Sequence, residues 1–382
     1  MNSVNLERGR CLSTSFFQDF FMRAILVFMS FALSSTSSAE IKPLYETIID
    51  EKIVILKNLP SQVLPFSDST IAFITRNDCF YLSNYKTGGL WEYRLSNFID
   101  TRELAHKFFN LDTSSNSYKL VRANWEKRNL REIQTVGITN YDEKRFLMAV
   151  DVSFPKLESV KGKDSFYTDD KQTFYLIFTK ERLQIERFGI LRLNWSSSER
   201  LFETPAFGFA SFCDTVYIAN VASPEYTGEI LAAFRKEDLS RINESIGIHH
   251  KNYQNNTGLP LVSTFYINNS GRSAFVCNRT QVFDLGKREE LFDLSLQETG
   301  IHQITFVAPV TKDNSRFFFA YTGAFDQNTK SFSRYRAYYD VKRSKITEVQ
   351  QTLPTVYAQY KDKIISIEKR KESYAFVVYQ IH

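Results

Sequence analysis

The sequence predicts an all-β chain folded as a β-propeller, and three observations carry that expectation. Aromatic residues make up 15% of the chain, with 34 Phe and 20 Tyr. Many of them fall in short runs bounded by Asn, Asp, Gly or Lys, the pattern of strands joined by tight turns. A three-strand meander then recurs along the chain, as expected for a stacked array of small antiparallel sheets rather than for one sandwich.

The first meander reads TIAFIT (70–75), CFYLSN (79–84) and LWEYRL (90–95), with turns at Arg76-Asn77-Asp78 and Tyr85–Gly89. The pattern returns between 263 and 285, between 304 and 341, and from TVYAQY (355–360) to the C-terminus. Two units end alike, as VFDLGKREELFDL (282–294) and YYDVKRSKITEVQ (338–350), each an apolar-aromatic-Asp strand, a basic turn and a short alternating strand. LRLNWSSSERLFE (191–203) and AAFRKEDLSRI (232–242) are weaker relatives.

These repeats give six units, with first strands near 70, 134, 205, 262, 303 and 355. The last holds three strands, so EKIVILK (51–57) is expected to supply its fourth and close the ring without a long free edge. Five or seven blades, or two β-sandwiches, are the alternatives. Between 96 and 130 the pattern blurs, and TRELAHKFF after Asp100 as N-cap predicts a short helix.

The N-terminal stretch has a different character. From Met22 the chain reads MRAILVFMSFALSSTSSAE: one basic residue, an apolar run from Ala24 to Leu33, then small residues closing on Ser37-Ser38-Ala39. That layout predicts a secretory signal peptide cleaved before Glu40. The apolar run is shorter than the ~20 residues a membrane-spanning helix needs, so the mature protein is expected not to span a membrane. Residues 1–21 sit awkwardly in front of such a leader, which suggests that translation starts at Met22. The expected organisation is a leader over 1–39 and one propeller domain over 40–382, in a secreted or periplasmic protein; the alternative is an amphipathic leader on a cytosolic protein.

The formal net charge is +5, and the leader contributes one unit of it. So mild a surplus, spread along the chain, does not suggest a nucleic-acid partner. The densest basic cluster, KRKES (369–373), reads as a charged hairpin turn. Cys79, Cys213 and Cys277 are too few to form a disulfide framework and read as unlinked thiols; one disulfide with a leftover thiol is the alternative.

No GxSxG, GxxxxGK[ST], HExxH or CxxC motif is present, and no cofactor or metal is implied. Signatures of the S-x-D-x-G-x-x-W, WD, kelch and YWTD types are also missing. Neighbouring His249 and His250 project to opposite sides of an extended chain, which disfavours a shared metal. Asp164, Asp169 and Asp170 form the most suggestive carboxylate cluster, in KGKDSFYTDDK, but lysines interleave them as on a solvated loop.

Two connections look longer than hairpins require, Pro155–Lys171 and about Ile246–Pro260. Both are expected to open on one mouth of the ring, with Asp164, Phe166, Tyr167, Asp169, Asp170, His249, His250 and Tyr253 as candidate ligand-binding residues. The expected function is a non-enzymatic binding or protein-interaction scaffold for a protein or glycan partner. The alternative is a glycan- or peptide-cleaving hydrolase or lyase using carboxylates at the pore.

Overall fold

The computed structural model describes residues 43–49, 60–75, 77–109, 114, 119, 133–158, 166–191, 208–219, 231–242, 265–269, 274–278, 280–295, 300–328, 330–371 and 373–381. Among the described residues, twenty-four strands form six four-stranded antiparallel sheets.

Blade 1 is β2 (Gln62–Pro65), β3 (Thr70–Ile74), β4 (Cys79–Asn84) and β5 (Leu90–Arg94), and blade 2 is β6 (Ile133–Asn140), β7 (Arg145–Glu158), β8 (Phe166–Thr179) and β9 (Ile185–Ile190). Blade 3 comprises β10 (Gly208–Phe212), β11 (Thr215–Ala219), β12 (Leu231–Arg235) and β13 (Arg241–Ile242). Blade 4 comprises β14 (Phe265–Asn269), β15 (Ala274–Asn278), β16 (Gln281–Asp284) and β17 (Glu289–Asp293). Blade 5 follows as β18 (Gln303–Pro309), β19 (Arg316–Asp326), β20 (Ser331–Asp340) and β21 (Lys345–Gln351). Blade 6 has the order β22 (Thr355–Tyr360), β23 (Lys363–Lys369), β24 (Tyr374–Gln380), then β1 (Pro43–Ile48).

The first strands of successive blades touch around a closed circuit, β2 to β6, β10, β14, β18, β22 and back to β2. This is a six-bladed β-propeller with its innermost strands around the axis. The ring closes through β1, which pairs antiparallel with β24 from Pro43↔Tyr379 to Ile48↔Ala375. An N-terminal strand therefore does close the last blade, but it is PLYETI and not the expected EKIVILK, which lies outside the described residues. Blade 1 also begins earlier than the sequence suggests, at Gln62 rather than near 70. Two prolines, Pro60 and Pro65, disguise QVLP as a loop. The strand nearest the axis has one unpaired edge, so Pro65 at its end costs no ladder bond.

Blades pack face to face through apolar clusters. Leu64, Ala72, Ile74 and Phe80 of blade 1 meet Ile138, Phe146, Met148, Phe174 and Phe178 of blade 2. The seam between blades 5 and 6 is aromatic, with Phe306 and Phe318 at 5.4 Å and 5.5 Å from Tyr357. Helix α1 (Thr101–Phe109) forms where the sequence predicts it. Its Leu104 joins the core between blades 1 and 2, and its Lys107 ammonium lies 4.9 Å over the Phe188 ring.

Two faces follow from the topology. One carries the turns joining first to second and third to fourth strands; we call it the hairpin face. The other, the connection face, carries the turns joining second to third strands and the links between blades.

Candidate functional site

The inner wall of the ring is uncharged. None of β2, β6, β10, β14, β18 and β22 contains an Asp, Glu, His, Lys or Arg. Their polar residues are amides and hydroxyls, and several join neighbouring blades: the Ile138 N–H donates to Gln62 Oε1 at 2.7 Å, and Thr135 donates through both its N–H (2.8 Å) and Oγ1 (3.0 Å) to the Asn77 carbonyl. The axis is thus built for cohesion between blades.

A cleft of about 1260 Å³ lies instead on the hairpin face, off the axis, between blades 1 and 2. Three turns shape it: 66–69 of blade 1 and 141–144 and 180–184 of blade 2. Each turn is locally determined. Ser67 Oγ accepts from the N–H groups of Ser69 and Thr70 at 3.3 and 3.1 Å. Asp142 Oδ1 accepts from Lys144 and Arg145 N–H groups at 2.9 and 2.8 Å, and Leu183 takes the left-handed conformation that closes the third turn, with φ of 53°. These are side-chain-to-backbone turns of the Asx and Ser type.

The apolar part of the lining is Phe66 and Leu82, with Phe66 packed 5.0 Å from the Phe146 ring beneath. Around them lies a lip of both signs. Arg145 binds Asp142 Oδ2 through Nη2 at 2.6 Å and Glu186 Oε2 through Nη1 at 3.2 Å, and its guanidinium stacks 4.8 Å from the Tyr141 ring. Burial alone would raise the Asp142 carboxyl, but the Arg145 side chain and the two backbone N–H groups outweigh it and hold the carboxyl below its ordinary range. A general acid needs the opposite displacement, so Asp142 serves as an anchor for Arg145, which Glu186 holds from the other side.

Lys180 differs from its neighbours. Its ammonium lies 5.4 Å over the Phe66 ring and makes no ion pair among the described residues. Burial lowers its pKa, with Asp142 and Glu143 partly offsetting that. A partly desolvated cation over an aromatic face is stabilised by the ring but leaves its hydrogen-bond donors unfilled by an anion. Lys144 and Arg182, with Glu143 and Glu181, surround it at exposed positions.

The residues singled out from sequence lie elsewhere. Phe166, Tyr167, Asp169 and Asp170 are strand residues of β8, opposite Glu158, Leu157, Pro155 and Phe154 of β7. Within the expected loop 155–171, the described residues 155–158 and 166–171 are therefore strand, a two-stranded ribbon continuing β7 and β8 beyond the pairing of β6 with β7 at Val152 and of β9 with β8 at Phe174. The ribbon leads toward the connection face, opposite the cleft. Asp164, His249, His250 and Tyr253 lie outside the described residues. Among the described residues no group of three or more His, Cys, Asp or Glu side chains could hold a metal. Sequence reasoning passed over Phe66, Arg145 and Lys180 because each sits in or beside an ordinary turn; only the seam brings them together.

No protein-family model matches the chain, and no curated protein matches it. Solved structures similar to it include the WD40 β-propeller domain of Doa1, at 9% identity and a TM-score of 0.35, over 85% of this chain and 94% of that one. YCF48 bound to D1 peptide matches at 8% identity and a TM-score of 0.37, over 90% and 97% of the two chains. The acylaminoacyl peptidase of Pyrococcus horikoshii matches at 9% and 0.36, over 82% of this chain and 43% of the peptidase. The class of this protein rests on its own strand order and ring closure, which define a six-bladed propeller.

Proposed function

We propose that this chain is an exported, non-enzymatic binding scaffold whose cleft between blades 1 and 2 receives an extended segment of a partner protein. The observation that carries the reading is the contrast between innermost strands without acid or base side chains and an off-axis cleft where the Lys180 ammonium, over the aromatic floor, makes no ion pair among the described residues. A pore-centred hydrolase would need at least two carboxylates facing the scissile bond, and the innermost strands offer none. In the cleft, Asp142 and Glu186 are bound by Arg145, while Glu143 and Glu181 stand at exposed positions on the lip. Rigid sheets with the recognition groups on turns suit binding, because turns can vary without disturbing the core. Alternating charges around an apolar floor match a peptide better than a polymer of uniform charge. Export is supported by the leader motif that ends at Ala39.

Two measurements test this. N-terminal sequencing of protein from the native compartment should read from Glu40, and an intact Met1 or Met22 would overturn export. A photo-crosslinking residue placed at Gln184, in the cleft lining, should capture a defined protein from that compartment. Lys180→Glu and Arg182→Glu should abolish capture; capture that survives both, or turnover of a glycan or peptide that depends on a single carboxylate, would overturn the reading.

A further inference from the structure

The seam between blades 5 and 6 carries a chain of charged hydrogen bonds in which the carboxylates are consumed. Glu368 Oε1 accepts from the Tyr379 hydroxyl at 2.9 Å and from Ser366 Oγ at 3.1 Å, and Glu368 Oε2 lies 3.0 Å from Arg370. Arg370 also binds Glu46 of the closing strand at 2.9 Å. Arg336 donates to Gln350 Oε1 at 2.8 and 2.6 Å and to the Tyr379 hydroxyl at 2.6 Å. Each of these cations has its partner.

Arg334, two residues before Arg336 on the same side of β20, has none. Among the described residues its side chain makes no hydrogen bond or ion pair, although it is only partly exposed. Burial lowers its pKa, with Tyr357 as the neighbouring phenol. A guanidinium presents a fork of donors matched to a carboxylate, and stripping its water without supplying acceptors is costly.

What surrounds Arg334 is exposed, apolar and basic. Phe325 and Phe332 sit opposite each other at the end of the β19–β20 hairpin, with ring centroids 5.0 Å apart and exposures of 45% and 41%. The link from blade 5 to blade 6 runs alongside. Thr352 N–H donates to the Arg334 carbonyl at 2.9 Å, and Lys369 N–H to the Pro354 carbonyl at 3.0 Å. This holds Leu353, 51% exposed, between Arg334 and Lys369. Lys369 and Lys371 are exposed and make no ion pair among the described residues. The basic KRKES turn thus continues the patch across the connection face.

We propose that this patch, built from Phe325, Phe332, Arg334, Leu353, Lys369 and Lys371, is a second docking surface, and that its occupant is an acidic peptide segment carrying bulky apolar side chains. Charge complementarity selects that partner: three cations that make no ion pair among the described residues flank three large exposed apolar side chains. Nucleic acid would use the cations but leave Leu353 and the edges of both phenyl rings without matching surface, and the patch is small for a membrane. The surface lies on the face opposite the cleft, so the scaffold would hold two partners at once.

The test uses the full propeller and fluorescence anisotropy. The probe is a short labelled peptide in which Asp and Glu alternate with Phe and Leu; the control carries Lys at each acidic position. The acidic peptide should bind and the control should not, with affinity falling as salt rises. Arg334→Gln should weaken binding by roughly tenfold, and Lys369→Glu combined with Lys371→Glu by at least as much. Lys180→Glu, in the cleft, should change nothing, which separates failure here from failure of the cleft reading. Equal binding of the two peptides, no effect of the Lys369 and Lys371 changes, or tighter binding of oligodeoxythymidine or phosphatidylserine vesicles would overturn the proposal. The two lysines are exposed, so their double variant decides the matter even if Arg334→Gln does not fold.

Discussion

Gly137 offers a sharp test of how the inner strands meet. It lies in β6 beside a register shift and faces Ala149 of β7, and the ring of Phe209 from β10 of blade 3 lies against its backbone. A Cβ at position 137 would overlap Phe209 Cδ2 and stand 2.5 Å from Cε2 and 3.1 Å from Cγ. Phe209 has little room to retreat, being packed among Val136, Leu147, Val216, Ile218 and Phe234. Overpacking by one methyl costs about 1–3 kcal/mol, and so direct an overlap places Gly137→Ala near the upper end. Phe209→Ala alone should cost about 3–5 kcal/mol. If the clash is the cause, the double variant should cost no more than Phe209→Ala alone, a coupling of about 2–3 kcal/mol. Gly300→Ala is the control: its φ is +63° with nothing within 4 Å of the added carbon, so it should lose only about 1–2 kcal/mol of backbone preference. Urea unfolding midpoints at constant slope give these differences. Simple additivity of the Gly137 and Phe209 changes would refute the account of the seam.

Two further outcomes follow from the titrating groups. Cys213 is exposed while Cys79 and Cys277 are buried, and burial first, then Asp78 and Glu92, pushes the Cys79 thiol up to about 12. Iodoacetamide should therefore label Cys213 in the folded protein and the other two only after denaturation, as mass spectrometry would show; a linked cysteine pair would contradict it. Asp142 has a folded pKa below its unfolded value, so its contribution is present above the ordinary carboxylate range and fades as pH falls through it and below. Asp142→Asn should therefore be less stable than the parent near neutral pH, with the gap closing below about pH 4. A gap that persists in acid would show that Asp142 acts through something other than its charge.

The blades were legible because each inter-blade surface demands apolar residues at strand spacing, and TIAFIT, CFYLSN, RFFFAYTG and YAFVVYQ supply them. Where a strand lacks two buried faces, that signal fades. The β7–β8 ribbon runs past β6 and β9, paired from Ser153↔Lys171 to Glu158↔Phe166, and FYTDDK, with three charges in a row, reads as a loop. The cleft was invisible for a different reason. Phe66 lies a blade of sequence away from Arg145 and Lys180, and nothing in PFSD, DEKR or KERL marks these stretches as lining a cleft.

The closing strand shows how sequence and fold can part company in an outermost position. By composition EKIVILK is the better strand, but an outermost strand needs less apolar content than a reliable register. β1 has Leu44 and Ile48 exposed and alternates only weakly between exposed and partly buried positions. A one-residue slip of such a strand would cost little in apolar burial, so polar contacts must specify its position. They do so at three points. Glu46 is 2.9 Å from Arg370, which a slip would turn to the other side of the sheet. Thr47 Oγ1 reaches the Lys86 carbonyl of blade 1 at 3.4 Å. Gly88, in the left-handed region at φ of +78°, lets that turn approach the Ile48 carbonyl so closely that a Cβ would collide with it. Since Arg370 also holds Glu368, which accepts from the Tyr379 hydroxyl, the ion pair that fixes β1 is continuous with the hydrogen-bond chain that reaches Arg336 of blade 5.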